Sequence, residues 1–211
     1  MTTIFENRSD AGSRLALLLS EYASAHPVVL ALPRGGVEVG REVARFLGAD
    51  FDVFVVRKLG APGDPELGIG AVAEGGVTIV DRSTVLRLHI SKQDIASIRK
   101  AEQEEIKRRI LRYRGKRPFV SILGRTTIIV DDGIATGMTA RASIAAIRKL
   151  GPSQIILAVP VCPTETALRI RRYVDRLVYV YAEKELRAVG EFYTDFSQVS
   201  DEKVVRILSS F

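Results

Sequence analysis

Short apolar runs without polar alternation recur along the chain, and they constrain its fold more than any other feature. They span Val28–Leu32, Phe51–Val56, Thr127–Val130, Ile155–Val161 and Leu177–Tyr181. Strands that consist of continuous apolar residues are usually covered on both faces, as in a parallel sheet. Each run is far shorter than the ~18 residues that a membrane-crossing helix needs. The runs therefore predict buried strands and no membrane span.

Helical patterns lie between these runs. We predict helices over Ser13–Tyr22, behind the N-cap types Ser9 and Asp10, and over Val37–Leu47, Ala140–Leu150 and Glu165–Tyr173. A glycine follows two of them, at Gly48 and Gly151, as is common just past a helix end. The repeated order of strand and helix predicts one α/β domain over residues 1–211, with a mostly parallel central sheet flanked by helices.

Two segments interrupt this alternation. The stretch Lys58–Gly76 is rich in glycine and proline, so we expect much of it to be a mobile loop that ends in a short hairpin over Ala71–Val80. The stretch Ser91–Tyr113 has the pattern of one long charged helix, with Ser91 as its N-cap.

Charge and cysteine content bound the environment of the protein. The net charge of +6 is concentrated between Lys92 and Arg117, where ten Lys and Arg residues face four Asp and Glu residues. Such a strip attracts nucleic acid, an acidic membrane surface or a polyphosphate ligand, or it is simply a solvated helix face. The one cysteine, Cys162, cannot form an internal disulfide. Together with an N-terminus, Met1–Asp10, that lacks a signal pattern, this predicts a cytoplasmic protein.

The segment Thr127–Thr139 carries the strongest chemical signal. An apolar strand leads into the adjacent acids Asp131 and Asp132, and a loop of small residues then enters a helix. Such a loop offers free backbone N–H groups and the positive end of the helix dipole to a phosphate. Adjacent carboxylates at the strand end could accept hydrogen bonds from the two vicinal hydroxyls of a ribose. From a glycine-containing turn alone, a tight strand-to-helix turn with two solvated acids is the better interpretation.

A Walker loop does not fit, because Gly133 and Gly137 are one residue too close and Met138 stands where Lys is required. A dinucleotide fingerprint could be placed only on Gly68–Ala73, where no helical pattern follows.

A second strand, Val28–Leu32, ends in Pro33-Arg34-Gly35-Gly36. The planar guanidinium of Arg34 suits diphosphate oxygens, and the two glycines leave backbone N–H groups accessible. From these residues alone, an ordinary strand-to-helix turn with a surface arginine is an equally good interpretation.

The order of residues from Val130 to Thr139 resembles the fingerprint of type I phosphoribosyltransferases, which bind 5-phosphoribosyl 1-diphosphate (PRPP). The resemblance implies that Asp131 and Asp132 hold the ribose hydroxyls and that Ala135, Thr136, Gly137, Met138 and Thr139 hold the 5′-phosphate. It also implies that Arg34, Gly35 and Gly36 bind the diphosphate, in a loop that often contains a non-proline cis peptide. Arg57 and Lys58 would serve the diphosphate too, as catalytic residues beside Arg34.

The resemblance further implies a small hood, which we assign to an inserted helical segment at about 82–117. Members of this family transfer the phosphoribosyl group to a nitrogen nucleophile and release diphosphate, with Mg²⁺ carried mainly by PRPP. Asp131 and Asp132 are candidate metal ligands, because Mg²⁺ prefers phosphates and one or two carboxylates. The implied partners are PRPP and a small-molecule acceptor, and a homodimer is a candidate assembly.

Two positions bear on the acceptor. In members specific for 6-oxopurines the first residue of the phosphate loop is an Asp, whereas here it is Ala135. We therefore expect a nucleobase other than a 6-oxopurine. The aromatic segment Phe192–Phe196, with Asp195, could contact a base in the family's hood, but aromatic residues at this density more often pack a core.

One alternative remains from another class of protein. A regulatory protein could keep the PRPP site as a sensor and bind nucleic acid through residues 92–117. Because this strip has only Tyr113 as an aromatic residue that could stack on bases, we rank nucleic-acid binding second.

Overall fold

The computed structural model describes residues 4–184 and 186–211. Eight strands lie along the chain: β1 Val28–Ala31, β2 Asp50–Val53, β3 Val56–Ala61, β4 Asp64–Ala73, β5 Thr78–Val80, β6 Thr126–Val130, β7 Gln154–Pro163 and β8 Arg176–Glu183. The helices are α1 Arg8–Leu17, α2 Gly36–Leu47, α3 Arg82–Arg87, α4 Lys92–Arg114, α5 Met138–Arg148, α6 Thr164–Ile170 and α7 Asp201–Leu208. These elements confirm the predicted α/β class.

Five strands form a parallel central sheet in the order β2-β1-β6-β7-β8. From β1 the chain moves outward to β2, and from β6 it moves outward in the opposite direction to β7 and β8. The direction of winding therefore changes between β1 and β6. In open α/β sheets, ligands bind in the crevice at the carboxyl ends of the strands on either side of such a switch point.

The two faces of this sheet are buried by different helices, because alternate strand residues point to opposite sides. Residues such as Val29 and Ile128 pack in one cluster with α1, α2 and α7, whereas Leu30 and Ile129 pack in another with α5 and α6. Burial on both faces explains why the strands consist of continuous apolar residues. Cys162 is also buried, as a small residue of the second cluster.

The glycine-rich segment Lys58–Gly76 differs from the prediction of a mobile loop. Most of it forms the antiparallel pair β3–β4, and β5 adds a third strand as the expected hairpin. Gly60 lies at a register shift, and a Cβ atom there would lie 2.5 Å from the backbone oxygen of Pro65. Glycine here permits close approach of two backbones, which is a recognised role of glycine inside strands. The composition was therefore misleading about conformation.

Other boundaries also differ from the sequence prediction. The first helix begins at Arg8, because the side chain of Asn7 caps it by accepting from the N–H of Asp10. The run Phe51–Val56 is divided between β2 and β3. Arg57 and Lys58 therefore lie near the start of β3, in the three-stranded antiparallel sheet β3-β4-β5, called the small sheet below. None of the helices in residues 4–184 and 186–211 combines the length and apolar character required to cross a bilayer.

The segment at 82–117 contains α3 and α4, as expected for helical structure in this region. Ser91 caps α4 through a capping box with Asp94, with the Ser91 Oγ accepting from the Asp94 N–H at 3.1 Å. Helix α4 contacts β3 of the small sheet and also α7 near the C-terminus. Its role as a hood stays a prediction.

Candidate functional site

The acid pair and the Arg34 turn lie next to each other at the switch point. Ala31 at the end of β1 is in register with Val130 at the end of β6, and the Leu32 N–H donates to the Val130 carbonyl oxygen at 2.8 Å. The loops that leave these two strands therefore begin side by side. Parallel pairing brings together residues that are almost 100 positions apart in the sequence.

Two glycines in the Arg34 turn are in tight contact with the acid pair. A Cβ atom on Gly35 would lie 1.8 Å from Oδ2 of Asp132, and one on Gly36 would lie 2.8 Å from the Val130 carbonyl oxygen. No side chain can occupy these positions without movement of the acids. The Pro33–Arg34 peptide bond in this turn is cis. The turn is therefore a close-packed wall of the crevice.

Arg8 at the start of α1 forms a buried ion pair with Asp132. Its Nε donates to Asp132 Oδ2 at 2.7 Å, and its Nη1 donates to the carbonyl oxygen of Ser197 at 2.8 Å. The Phe196 ring covers the guanidinium, with the Arg8 Cζ atom 3.9 Å from the ring centroid. Sequence reasoning missed Arg8, because no local motif marks a helix-start arginine whose partner lies on a distant strand.

The aromatic segment near the C-terminus contacts the backbone of Asp132. The Tyr193 hydroxyl donates to the Asp132 carbonyl oxygen at 2.6 Å, and burial raises the pKa of this phenol. Phe192 and Tyr193 are buried in a cluster with Phe5, whereas Asp195 is exposed. The prediction that these aromatic residues pack a core is confirmed.

Burial also shifts the acids themselves. It raises the pKa of the Asp131 carboxyl well above its ordinary value, and the negative charge of Asp132 raises it further. Burial raises the pKa of Asp132 as well, although Arg8 opposes this shift by favouring the ionised form. The Asp132 N–H donates to Asp131 Oδ1 at 2.9 Å. The two carboxyls thus share one partly desolvated site, with Arg8 as the cation at hydrogen-bonding distance from Asp132.

The loop from Gly133 to Gly137 joins the acids to α5 and is held from outside. The Ile134 N–H donates to the Val161 carbonyl oxygen at 3.0 Å, and the Thr166 hydroxyl donates to the Ala135 carbonyl oxygen at 2.9 Å. Gly137 has a φ of +78°, a left-handed conformation that favours glycine.

The backbone donors of this loop remain available. Within residues 4–184 and 186–211, none of the N–H groups of residues 135–139 donates to a protein acceptor. They precede or begin α5, where the helix dipole is positive. An anion is the ligand that such an arrangement binds.

The predicted diphosphate residues are not all brought together. The backbone of the Arg34 turn lies beside the acids, whereas the Arg34 side chain reaches α7, with its Nη1 atom 3.8 Å from Oδ1 of Asp201. Arg57 donates from Nε to Glu102 of α4 at 2.6 Å, and Lys58 donates to the carbonyl oxygen of Glu66 across the hairpin. In this conformation Arg57 is engaged with an acceptor on α4 and Lys58 with one on β4.

A protein cage for a metal ion is absent from the described ranges 4–184 and 186–211, where no group of three or more His, Cys, Asp or Glu side chains is suitably placed. The acid pair still fits a Mg²⁺ ion that keeps most of its ligands from phosphate and water, since such an ion needs only one or two carboxylates.

Comparisons with known proteins agree with this geometry. The family described as "Phosphoribosyl transferase domain" matches residues 3–190. Two curated proteins from Mycobacterium tuberculosis strains, each named "Putative phosphoribosyl transferase", are 41% identical to the chain over 205 residues. This match covers 97% of the chain and 46% of each relative, so the chain spans about half the length of these relatives.

A solved structure is similar over the whole length of both chains. The crystal structure of the protein TT1426 from Thermus thermophilus has a TM-score of 0.82 and 38% sequence identity, and the match covers 98% of each chain.

Proposed function

Because the chain belongs to the phosphoribosyl transferase domain family, we propose that it transfers the 5-phosphoribosyl group of PRPP to a nitrogen nucleophile and releases diphosphate. One observation carries the proposal: the acid pair, the Arg34 turn and the free N–H groups of residues 135–139 adjoin at one switch point. Ribose, diphosphate and 5′-phosphate are the three parts of PRPP, and each has a matching group of residues here.

We assign the binding roles as follows. The carboxylates of Asp131 and Asp132 accept hydrogen bonds from the ribose hydroxyls, and Arg8 holds Asp132 in place from the opposite side. The N–H groups of residues 135–139, with the hydroxyls of Thr136 and Thr139, donate to the 5′-phosphate. Each hydrogen bond to a charged group is worth roughly 1.5–3 kcal/mol.

The diphosphate is assigned to Arg34 and to the N–H groups of Gly35 and Gly36. The anomeric carbon becomes oxocarbenium-like as the diphosphate leaves, so stabilising charge on the leaving group accelerates the reaction. Mg²⁺ that arrives with PRPP would neutralise part of this charge, and Asp131 and Asp132 would be its protein ligands. We propose that Arg57 and Lys58 join Arg34 when they exchange Glu102 and Glu66 for the diphosphate.

The acceptor proposed is a nucleobase other than a 6-oxopurine. The side chain of Ala135 can neither donate nor accept a proton, and general acid–base assistance is typically worth 10²–10⁴ in rate. Hypoxanthine and guanine should therefore be poor acceptors. Diphosphate release measured with a panel of bases tests this claim, and rapid turnover of either purine would overturn it.

Catalysis is favoured over nucleic-acid regulation by the ion pairs of the basic strip. Six of its ten cations lie within salt-bridge distance of carboxylates, namely Lys107, Arg108, Arg109, Arg112, Arg114 and Arg117. A cation that already has a carboxylate partner contributes less to binding phosphate backbones. Binding to RNA or DNA that falls steeply with salt would favour the regulator instead.

The proposal is tested by ligand-induced stabilisation. A ligand at ~100 times its dissociation constant adds about 2.7 kcal/mol to stability, so PRPP with Mg²⁺ should raise the thermal midpoint. Thr139→Ala and Asp132→Asn should each reduce this shift, whereas Thr78→Ala on β5 serves as the control and should keep it. An unchanged midpoint of the unmodified protein at millimolar PRPP would show that the proposal is wrong.

The cellular location and the assembly follow only as proposals. The single cysteine is buried, and burial raises the pKa of its thiol to about 11, so it is poorly reactive. This fits the reducing cytoplasm, where we place the protein. A homodimer stays a prediction.

A further inference from the structure

A pocket lies beside residues 135–139, which are called the phosphate loop below. It is bounded by the start of α3, the start of α5 and the end of α6. It has a volume of about 670 Å³, within the range of small-molecule sites. Thr136 and Met138 form the side that it shares with the loop. Over residues 4–184 and 186–211, its lining includes neither the acid pair nor Arg34. The cavity therefore shares one wall with the loop proposed to hold the 5′-phosphate, and the rest of its lining lies outside the PRPP site proposed above.

The pocket is strongly cationic. Four arginines line it together with one acid, Asp81. They are Arg82 on α3, Arg141 on α5, Arg169 on α6 and Arg172 in the turn after α6. Asp81 is engaged in capping α3: hydrogen bonds from the Ser83 and Thr84 hydroxyls lower its pKa to about 2. Its carboxylate thus faces its own helix, and the four guanidiniums leave an excess of positive charge in the pocket.

One of these arginines has an unused buried donor. The Nε atom of Arg141 is buried and lacks a hydrogen-bond partner in the described part of the chain. A buried donor without an acceptor is unfavourable, because it has lost its hydration and gained no hydrogen bond in return. The Arg141 guanidinium is held over the Tyr173 ring at 4.9 Å from its centroid, so its position is defined by stacking rather than by a carboxylate. An anionic ligand would supply the missing acceptor.

A second arginine of the pocket, Arg169, is held by a hydroxyl rather than by a close carboxylate. Arg169 donates to the Thr166 hydroxyl at 3.1 Å, and Thr166 in turn donates to the Ala135 carbonyl oxygen at 2.9 Å. The Glu165 carboxylate oxygen Oε1 lies 4.0 Å from Arg169 Nη1, at the limit of an ion pair. The guanidinium of Arg169 thus has donors left for a ligand.

We propose that this pocket binds a small molecule with two or more phosphoryl groups, at a site separate from the acid pair. Four guanidiniums match several phosphate charges, because each presents a fork of donors that fits phosphate oxygens. The volume admits a ligand of nucleotide size, and Tyr173, which is 44% exposed, offers an aromatic edge at one end.

The absence of tryptophan from the sequence allows a local test. Tyr173→Trp introduces a single indole at the pocket wall, and Arg141 can stack on it as it does on tyrosine. Inorganic tripolyphosphate, titrated into this variant, should change the tryptophan fluorescence along a saturable curve. Ribose 5-phosphate, which the proposed function places at the neighbouring loop 135–139, is titrated in parallel and should give a much weaker signal, because it carries a single phosphoryl group. A curve as tight as that of tripolyphosphate would show that the signal comes from that loop.

Adjacent arginines provide a matched pair of second-site variants. Arg172→Ala, which removes a pocket cation, should weaken tripolyphosphate binding about tenfold, as expected for a charge-assisted hydrogen bond. Arg171→Ala removes the neighbouring cation, which donates to the Tyr179 hydroxyl outside the pocket, and should leave the affinity unchanged. Circular dichroism of each variant establishes that it is folded before its affinity is compared.

Two results would overturn the proposal. Equal effects of Arg171→Ala and Arg172→Ala, or no saturable signal, would mean that the pocket is not an anion site. Loss of the signal in Asp132→Asn, or displacement of tripolyphosphate by PRPP at PRPP's own dissociation constant, would mean that the pocket is part of the PRPP site. The inference does not rest on PRPP binding, since the thermal-shift test of that function is separate.

Discussion

The buried ion pair between Arg8 and Asp132 allows one stability effect to be worked out in detail. Arg8→Met keeps a long side chain beneath the Phe196 ring but removes the guanidinium. The side chains of Arg8 and Asp132 are 7% and 16% exposed, so neither charge is well hydrated. Removing one partner of such a pair typically destabilises a protein by about 3–5 kcal/mol, because the other charge stays buried. We expect Arg8→Met to lower the free energy of unfolding by about 3 kcal/mol at pH 7. This is the lower end of the range, because protonation of Asp132 removes part of the unpaired buried charge.

The size of this effect should depend on pH. A free aspartate titrates near 3.8, and burial raises the pKa of Asp132 above that value in the folded protein. Loss of Arg8 removes the group that favours the ionised form, so the folded pKa rises further. A carboxyl with a raised folded pKa loses stability as the pH increases from its unfolded pKa. The destabilisation by Arg8→Met should therefore be small at pH 4 and should grow toward pH 7.

Urea unfolding of both proteins at pH 4.5 and 7 measures this difference. Arg14→Met on the same helix is the control: Arg14 pairs with Asp10 at the surface, its side chain is 48% exposed, and its loss should matter by less than about 0.5 kcal/mol. In the double variant Arg8→Met/Asp132→Asn the destabilisation should be less than the sum of the single effects. The reasoning would be wrong if Arg8→Met lowered the free energy of unfolding at pH 7 no more than Arg14→Met does, or by the same amount at both pH values.

Three further predictions concern the same crevice. Gly35→Ala should destabilise the protein by about 3 kcal/mol in urea unfolding, because the new Cβ atom would lie 1.8 Å from Asp132 Oδ2. The backbone φ of −60° is one that alanine adopts readily, so the clash and not backbone strain causes the loss. A loss below about 1 kcal/mol would contradict this. Asp131→Asn should raise the thermal midpoint of the ligand-free protein at pH 7 and flatten the decline of that midpoint between pH 4 and 7. The reason is that the pKa of Asp131 is raised in the folded protein, so ionisation of this carboxyl opposes folding. Parallel pH profiles of variant and wild type would contradict this. Arg34→Ala should weaken calorimetric binding of PRPP and diphosphate while ribose 5-phosphate binding stays nearly intact, and equal losses for all three ligands would exclude the diphosphate assignment.

Much of the candidate site could be predicted from local sequence. The order of strand, two acids, small-residue loop and helix in Thr127–Thr139 specifies its own conformation, since each step depends on near neighbours. The run Val28–Leu32 with its following Arg34-Gly35-Gly36 does the same for the second loop. The central parallel sheet followed from runs that are apolar on both faces. Long-range pairing between the runs was not needed to recognise them as strands.

The errors arose where distant contacts override composition. Glycines in Lys58–Gly76 suggested a loop, yet Gly60 and Gly70 lie where neighbouring strand backbones come too close for a side chain. No local pattern shows which backbone will approach a glycine. The division of Phe51–Val56 between two sheets has the same cause, because only pairing with β1 or with β4 distinguishes its two halves.

The α/β class and the position of the acid pair could be read from the order of residues, because they depend on residues within one turn or one strand of each other. Phosphate binding at residues 135–139 rests on the same local order and stays a prediction. The folded molecule was needed to show that Arg8 pairs with Asp132, that Tyr193 donates to the Asp132 carbonyl oxygen, and that four arginines line one pocket. Ion pairs and pockets are made by side chains that meet after the chain has folded. Their partners are set by packing distances, which leave no periodic or local trace in the order of residues.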